Sequence, residues 1–474
     1  MNGIDLSSRL QIWPVVRHEQ KGDLYLLFHQ GKAAWTVVNR LGFEIAVLCD
    51  GERTLAQVCS ILAERYEVGL QTIEADLAIF IIQLEKTGFL SGREDPFVFE
   101  FPPLSSLFLH ITNNCNLRCH HCYTGSGFTR NEDLPTSLIL DVIDQLVKLG
   151  GKSITLSGGD PLVRKDCLEI VSHAANRLKV RLLTNGTLVT PEIAKALADL
   201  DVHVQISLDG SSACTHDEIR GEGSFERTLR GLELLQSHGL TERLNISTTI
   251  MQQNNDEAGK MVQFAADRKV PMVRFLPLRN EGTARGNWIR IDAGTDGTGE
   301  FFKSVLDLEA RTEQETRHVE VTSGLSGLML HAPEVPEGGC SGCSSEMWCP
   351  TGRTMAIDYQ GNVYLCIPFM HEKFYLGNVK DKSLYELHDS IRLRELYFNI
   401  SSRRQKVEKC RTCQVKNLCQ GGCAGMVFRE KGTIWDTDGF CEIRKEFVKN
   451  TIFDMAEKKL KGNSLTQSAC GNGI

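Results

Sequence analysis

From residue 107 to residue 276 the chain alternates short apolar runs with helical stretches, and no other feature restricts its fold as strongly. Strands are expected at 107–112, 153–156, 181–184, 203–208, 245–250 and 273–276, with helices near 136–149, 164–177, 191–199, 224–237 and 255–268. Six such steps predict an α/β fold, a partial (β/α)6 TIM-type barrel, because each crossover between parallel strands carries its helix to the outside. Chemistry in barrels of this type lies at the C-terminal ends of the strands.

The first of those ends carries Cys115, Cys119 and Cys122 in CxxxCxxC spacing, with Tyr123 next. Three thiolates are too few to close a site: structural zinc takes four ligands, and a 4Fe-4S cube takes one cysteine per iron. One corner is left for a small chelating molecule. The second strand leads into Ser157-Gly158-Gly159-Asp160-Pro161, where the glycines admit close backbone approach and Asp160 can accept hydrogen bonds from an ammonium. After the fourth strand, Ser207 and Asp209 point to the same side and can hold ribose hydroxyls. Either loop alone reads as an ordinary turn.

Together, Cys115, Cys119, Cys122, Tyr123, the Gly-Gly-Asp-Pro stretch, Thr184-Asn185-Gly186 and Ser207-x-Asp209 resemble the radical S-adenosylmethionine (SAM) superfamily. The resemblance implies a 4Fe-4S cluster on the three cysteines and SAM chelating its free iron. It also implies SAM contacts from Tyr123, Gly158, Gly159, Asp160, Asn185 and Ser207, with Asp209 and Arg220 completing the set. The family's usual glutamate is here Asp160, with a shorter reach. The chemistry so implied is hydrogen-atom abstraction by a 5′-deoxyadenosyl radical, which the protein must aim and keep from water.

Cysteines return at Cys349, Cys366, Cys410, Cys413, Cys419, Cys423 and Cys441, with Gly361 between the first two. This order resembles the SPASM domain, which implies two auxiliary 4Fe-4S clusters. Cys349, Cys366 and Cys423 fall to the first, joined by Cys343 at the family's offset, and Cys410, Cys413, Cys419 and Cys441 fall to the second. Cys340 and Cys470 read as spectators. Zinc is the alternative for residues 410–423; three cysteine sets in one chain favour iron and sulfur.

Residues 1–92 read as three strands and three helices, a winged-helix-like module. Pro14, Val37-Val38-Asn39, Asp50-Gly51 with Thr54, and Leu84 ahead of Gly88-Phe89-Leu90 resemble the PqqD-like domain, a peptide chaperone. The resemblance implies that it binds the leader of a precursor peptide, for which an open sheet edge is suited. The alternative is an accessory domain that binds nothing. The remaining expected divisions are a linker at 93–103, the barrel at 104–280, a bridging region at 281–339, the SPASM domain at 340–450, and a helix end and tail at 451–474.

Seventeen cysteines in 474 residues are too many for a reducing compartment to leave unused and do not suit a disulfide framework in a chain this long. Cys49, Cys59, Cys167 and Cys214 stand singly and read as small hydrophobes. A net charge of −7 gives no basis for nucleic-acid binding. The longest apolar run, residues 77–82, is too short to span a membrane, and a cytoplasmic location is expected. None of the 13 histidines has a catalytic setting in the sequence.

The expected function is a radical SAM peptide maturase that forms a thioether or carbon–carbon link in a ribosomally made precursor, supplied with electrons by a donor such as flavodoxin or ferredoxin. The alternatives are a protein maturase of the anaerobic sulfatase kind, a tetrapyrrole side-chain enzyme, and a non-catalytic iron-sulfur electron carrier.

Overall fold

The N-terminal sheet is built from Val16–Lys21 (β1), Leu24–His29 (β2) and Trp35–Val38 (β3), antiparallel in the order β1-β2-β3. The structure is a computed structural model that describes residues 5–12, 16–29, 35–86, 90, 101–127, 132–312, 319–323, 349, 351–419, 421–450 and 453. Alternation along β2 divides the sheet: Leu27 faces the helices Arg40–Leu48 (α1), Leu55–Tyr66 (α2) and Leu70–Lys86 (α3), while Leu26 and Phe28 face the other way. α2 begins where expected, because Thr54 and Gln57 close a capping box. α3 starts four residues before the expected 74, at Leu70. Pro14, Gly88, Phe89, Cys340, Cys343, Cys470 and the linker up to residue 100 lie outside the described residues.

The barrel strands are Ser106–Thr112 (β4), Ser153–Gly158 (β5), Lys179–Thr184 (β6), Val202–Ser207 (β7), Leu244–Ile250 (β8) and Met272–Pro277 (β9). All are parallel in sequential order. Between them run Thr136–Lys148 (α4), Cys167–Ala175 (α5), Pro191–Ala198 (α6), Ala213–Arg220 (α7), Ser224–Ser237 (α8) and Ala258–Asp267 (α9). The apolar positions Leu107, Leu109, Ile154, Leu156, Val180, Leu182, Val204 and Ile206 pack against these helices. Their neighbours His110, Gln205, Ser247 and Arg274 face the opposite side, so the barrel interior is polar.

The sheet extends beyond the six expected strands. Thr283–Ile291 (α10) and Gly294–Thr312 (α11) lead to Glu320–Ser323 (β10), parallel to β9. At the other edge Thr354–Ile357 (β11) lies parallel to β4, followed by Asn362–Tyr364 (β12) and Gly377–Asn378 (β13). The C-terminal region thus joins the barrel's own sheet. Among the described residues, no helix is long and apolar enough to cross a membrane.

Candidate active site and auxiliary cysteine groups

The loop after β4 is clamped by backbone hydrogen bonds. Cys115 N–H donates to Gly127 O (3.1 Å), His120 N–H to Ile219 O (3.0 Å), and Thr283 N–H to Cys122 O (2.8 Å). Gly159 and Asp160 donate their N–H groups to Thr112 O and Asn114 O, both at 2.9 Å. These last bonds explain the two glycines. A Cβ on Gly158, whose φ is +147°, would sit 2.0 Å from Thr112 O, and one on Gly159 would sit 2.2 Å from Asn114 O. The close approach is therefore to the cysteine loop itself.

Burial pushes the Cys115 thiol up to about 11 and Cys119 up to about 12, while Arg220 pulls both down. Each thiol raises its neighbours, which means that the three share one neighbourhood. Such a set ionises when iron takes the thiolates, so the residues present fit a cluster.

Asp160 is fully buried, and its oxygens accept from Thr184 Oγ1 (2.8 and 3.1 Å), Asn185 N–H (2.7 Å) and Leu162 N–H (3.0 Å). The expected contact with an ammonium would compete with these bonds. What Asp160 secures is Asn185, whose Nδ2 donates to Asn116 Oδ1 at 2.9 Å and lies 3.8 Å from Cys115 Sγ.

Asp209 is likewise enclosed rather than open to a ribose. Arg220 Nε donates to its Oδ2 at 2.6 Å, Thr249 N–H to its Oδ1 at 2.8 Å, and His121 Nε2 lies 3.3 Å from Oδ2. Burial holds the His121 imidazole down at about 4, hence neutral. Asp209 N–H in turn donates to His216 Nδ1 at 3.2 Å. Arg220, fixed by Asp209, turns Nη1 to within 3.9 Å of Cys119 Sγ. Ser207 is half-buried. Tyr123 is held through its hydroxyl, 3.0 Å from His110 Nε2, with the Arg279 guanidinium 5.1 Å from its ring centroid.

His110, His121, Asn116, Arg274 and Arg279 escaped the sequence reasoning as parts of this site. For His110 and Arg274 a signal existed: each is the polar member of an alternating strand, on the side opposite the helices.

The C-terminal cysteines fall into two groups. Cys349, Cys366 and Cys423 lie in one another's electrostatic field, and burial raises the Cys349 and Cys366 thiols. Cys410, Cys413, Cys419 and Cys441 wall a single cavity of about 430 Å³, together with Arg17, Glu19, Lys409 and Arg444. Four thiols around one cavity have the donor chemistry of a fully ligated cube. Cys343, expected with the first group, and the spectator Cys340 lie outside the described residues. The N-terminal sheet covers the second group: Leu26 and Phe28 pack with Val415, Cys413 and Cys419, and Lys449 pairs with Glu19.

Comparison with known proteins gives three family matches. The Radical SAM superfamily matches residues 109–265, Coenzyme PQQ synthesis protein D (PqqD) residues 25–90, and the iron-sulfur cluster-binding SPASM domain residues 349–414. Mycofactocin maturase MftC of Mycolicibacterium smegmatis is 33% identical over 322 residues, 67% of this chain and 77% of that protein. AdoMet-dependent heme synthase of Methanosarcina barkeri is 26% identical over 357 residues, 70% of this chain and 95% of that one. Among solved structures, Streptococcus suis SuiB bound to S-adenosylmethionine is similar with a TM-score of 0.56 and 17% identity, covering 91% of this chain and 99% of SuiB.

Proposed function

Since the chain belongs to the radical SAM superfamily, as a member with PqqD and SPASM domains related to the mycofactocin maturases, we propose that it oxidatively cross-links a ribosomally made precursor peptide through a thioether or carbon–carbon bond. The observation that carries this reading is the PqqD-type sheet in the same chain as the cysteine loop, with β3 the edge strand of its three-stranded sheet among the described residues. An edge strand offers unpaired N–H and C=O groups to a leader segment. SuiB, similar in fold, has been solved bound to its precursor peptide SuiA.

In this reading Cys115, Cys119 and Cys122 hold the SAM-binding cluster. Cys343, Cys349, Cys366 and Cys423 hold the first auxiliary cluster, and Cys410, Cys413, Cys419 and Cys441 the second. When bound, these groups with SAM would supply a 5′-deoxyadenosyl radical and a sink for electrons. The chain's own residues prepare the place. Arg220, locked by Asp209, puts positive charge beside Cys119; Asn185, locked by Asp160, faces Cys115; Ser207, Tyr123 and the backbone of Gly158 and Gly159 complete the SAM contacts. The barrel's buried polar wall keeps bulk water from the reacting carbon. A flavodoxin or ferredoxin supplies electrons, and the enzyme works in the cytoplasm on the domain plan of residues 1–92, 104–280 and 340–450.

The test is anaerobic reconstitution with iron and sulfide, reduction, and addition of SAM with short peptides encoded beside the gene. A peptide mass loss of two hydrogens matched by 5′-deoxyadenosine is expected. SAM cleavage with every peptide unchanged would contradict the peptide reading and direct the search to tetrapyrroles, the substrate class suggested by the heme synthase relative.

A further inference from the structure

Arginine is rarely left without an anion inside a protein, because a desolvated guanidinium with open N–H groups is costly. This barrel holds two arginines with such open N–H groups at its mouth. Arg274 lies on β9 between Val273 and Phe275, which pack outward into the helix-facing core, so its side chain enters the barrel interior. It pairs in register with Ser247 of β8 and Thr322 of β10, the level reached by Ser207 of β7. Its Nε is buried and meets no acceptor among the described residues. Arg279, just past the end of β9, stands over the Tyr123 ring with a buried Nη1 that also has no acceptor among them.

Two of the nearby carboxylates are engaged elsewhere, and the third, Glu281, is shared among Arg429, Arg279 and Arg285. Glu281 faces Arg429 at 3.0 Å, Asp209 faces Arg220 at 2.6 Å, and Asp160 is saturated by Thr184, Asn185 and Leu162. The positive charge is concentrated: burial, then Arg181 and Arg279, lower the pKa of Arg274, and Arg429, Arg279 and Arg285 all bear on Glu281. Arg279 also bears on Cys366 of the first auxiliary group and on Tyr123 beside Cys122. It therefore lies near both the radical-generating loop and the first auxiliary group.

We propose that Arg274 and Arg279 form the binding site for a carboxylate carried by the substrate. A guanidinium fork matches a carboxylate in shape and charge, and a pair of forks fixes its position as well as its affinity. The inference rests on the maturase reading for its peptide form, and a C-terminal or side-chain carboxylate of a peptide and the propionate of a tetrapyrrole share the chemistry.

The test uses the reconstituted holoenzyme with SAM and measures retention of three probes: a pool of hexapeptides lacking Asp and Glu with free C-termini, the same pool C-terminally amidated, and coproporphyrin. Retention of the free-acid pool at least about tenfold above the amidated pool, lost in Arg274→Gln and Arg279→Gln, is the expected result. Retention of coproporphyrin alone, with the same loss, would keep the carboxylate site and overturn the peptide reading. Equal retention of acid and amide pools would overturn the carboxylate site and leave the peptide reading standing. Retention of no probe would overturn the site, as would weakened SAM binding in the variants with carboxylate preference intact. The comparison of pools on the unaltered enzyme holds even where a variant fails to fold.

Discussion

At the scale of single residues, the site is a set of buried charges that hold one another in place. Asp209 illustrates what a sequence conceals: its spacing from Ser207 suggested an outward contact, yet its oxygens go to Arg220, Thr249 and His121. Both Asp209 and Arg220 were visible as site residues. That they pair with each other depends on how α7 folds back over β7, which strand alternation cannot show. The same network makes a pH prediction. Burial holds His216 and His110 at about 4, below the ordinary histidine value, so the folded state keeps them neutral. Between pH about 6.5 and about 4 the unfolded chain binds protons that the folded chain refuses, so stability falls as pH drops through that window and is fully present above it. The Tm should fall from pH 7 to pH 5, and less so in His216→Gln. Parallel Tm profiles for the two proteins would show that His216 does not contribute.

At the scale of elements, the barrel strands were legible because each is a short apolar run, such as residues 107–111, followed by a helical period. β10 to β13 were not, because strands of two to four residues carry too few alternations to register. The Gly158-Gly159 pair was legible as a place of close approach but not as to what approaches. Since the approaching group is backbone, Gly158→Ala must displace Thr112 O. A cost of about 1–3 kcal/mol in urea unfolding is expected, with SAM affinity weakened at least about tenfold by the shifted cysteine loop. Wild-type SAM affinity in a folded Gly158→Ala protein would contradict the clamp.

At the scale of the whole molecule, cysteine spacing carried more information than any hydrophobic pattern. Of the seven C-terminal thiols singled out by their spacing, Cys410, Cys413, Cys419 and Cys441 surround one cavity. What spacing could not reveal is that the N-terminal sheet closes over that cavity through Leu26 and Phe28, contacts more than 380 residues apart in sequence. It likewise could not show that β11 sews the C-terminal region onto β4. The PqqD-type sheet thus lies against the second cysteine group, and the C-terminal region continues the barrel's own sheet.

On the proposed function, Cys115, Cys119 and Cys122 form the radical-generating site and the other two groups are separate from it. The direct measurement is iron content and 5′-deoxyadenosine release for the reconstituted triple variant Cys115→Ala, Cys119→Ala, Cys122→Ala beside the unaltered protein. SAM cleavage should be lost and iron should fall by about four, leaving about eight in the auxiliary groups. Undiminished 5′-deoxyadenosine from the triple variant would contradict this assignment.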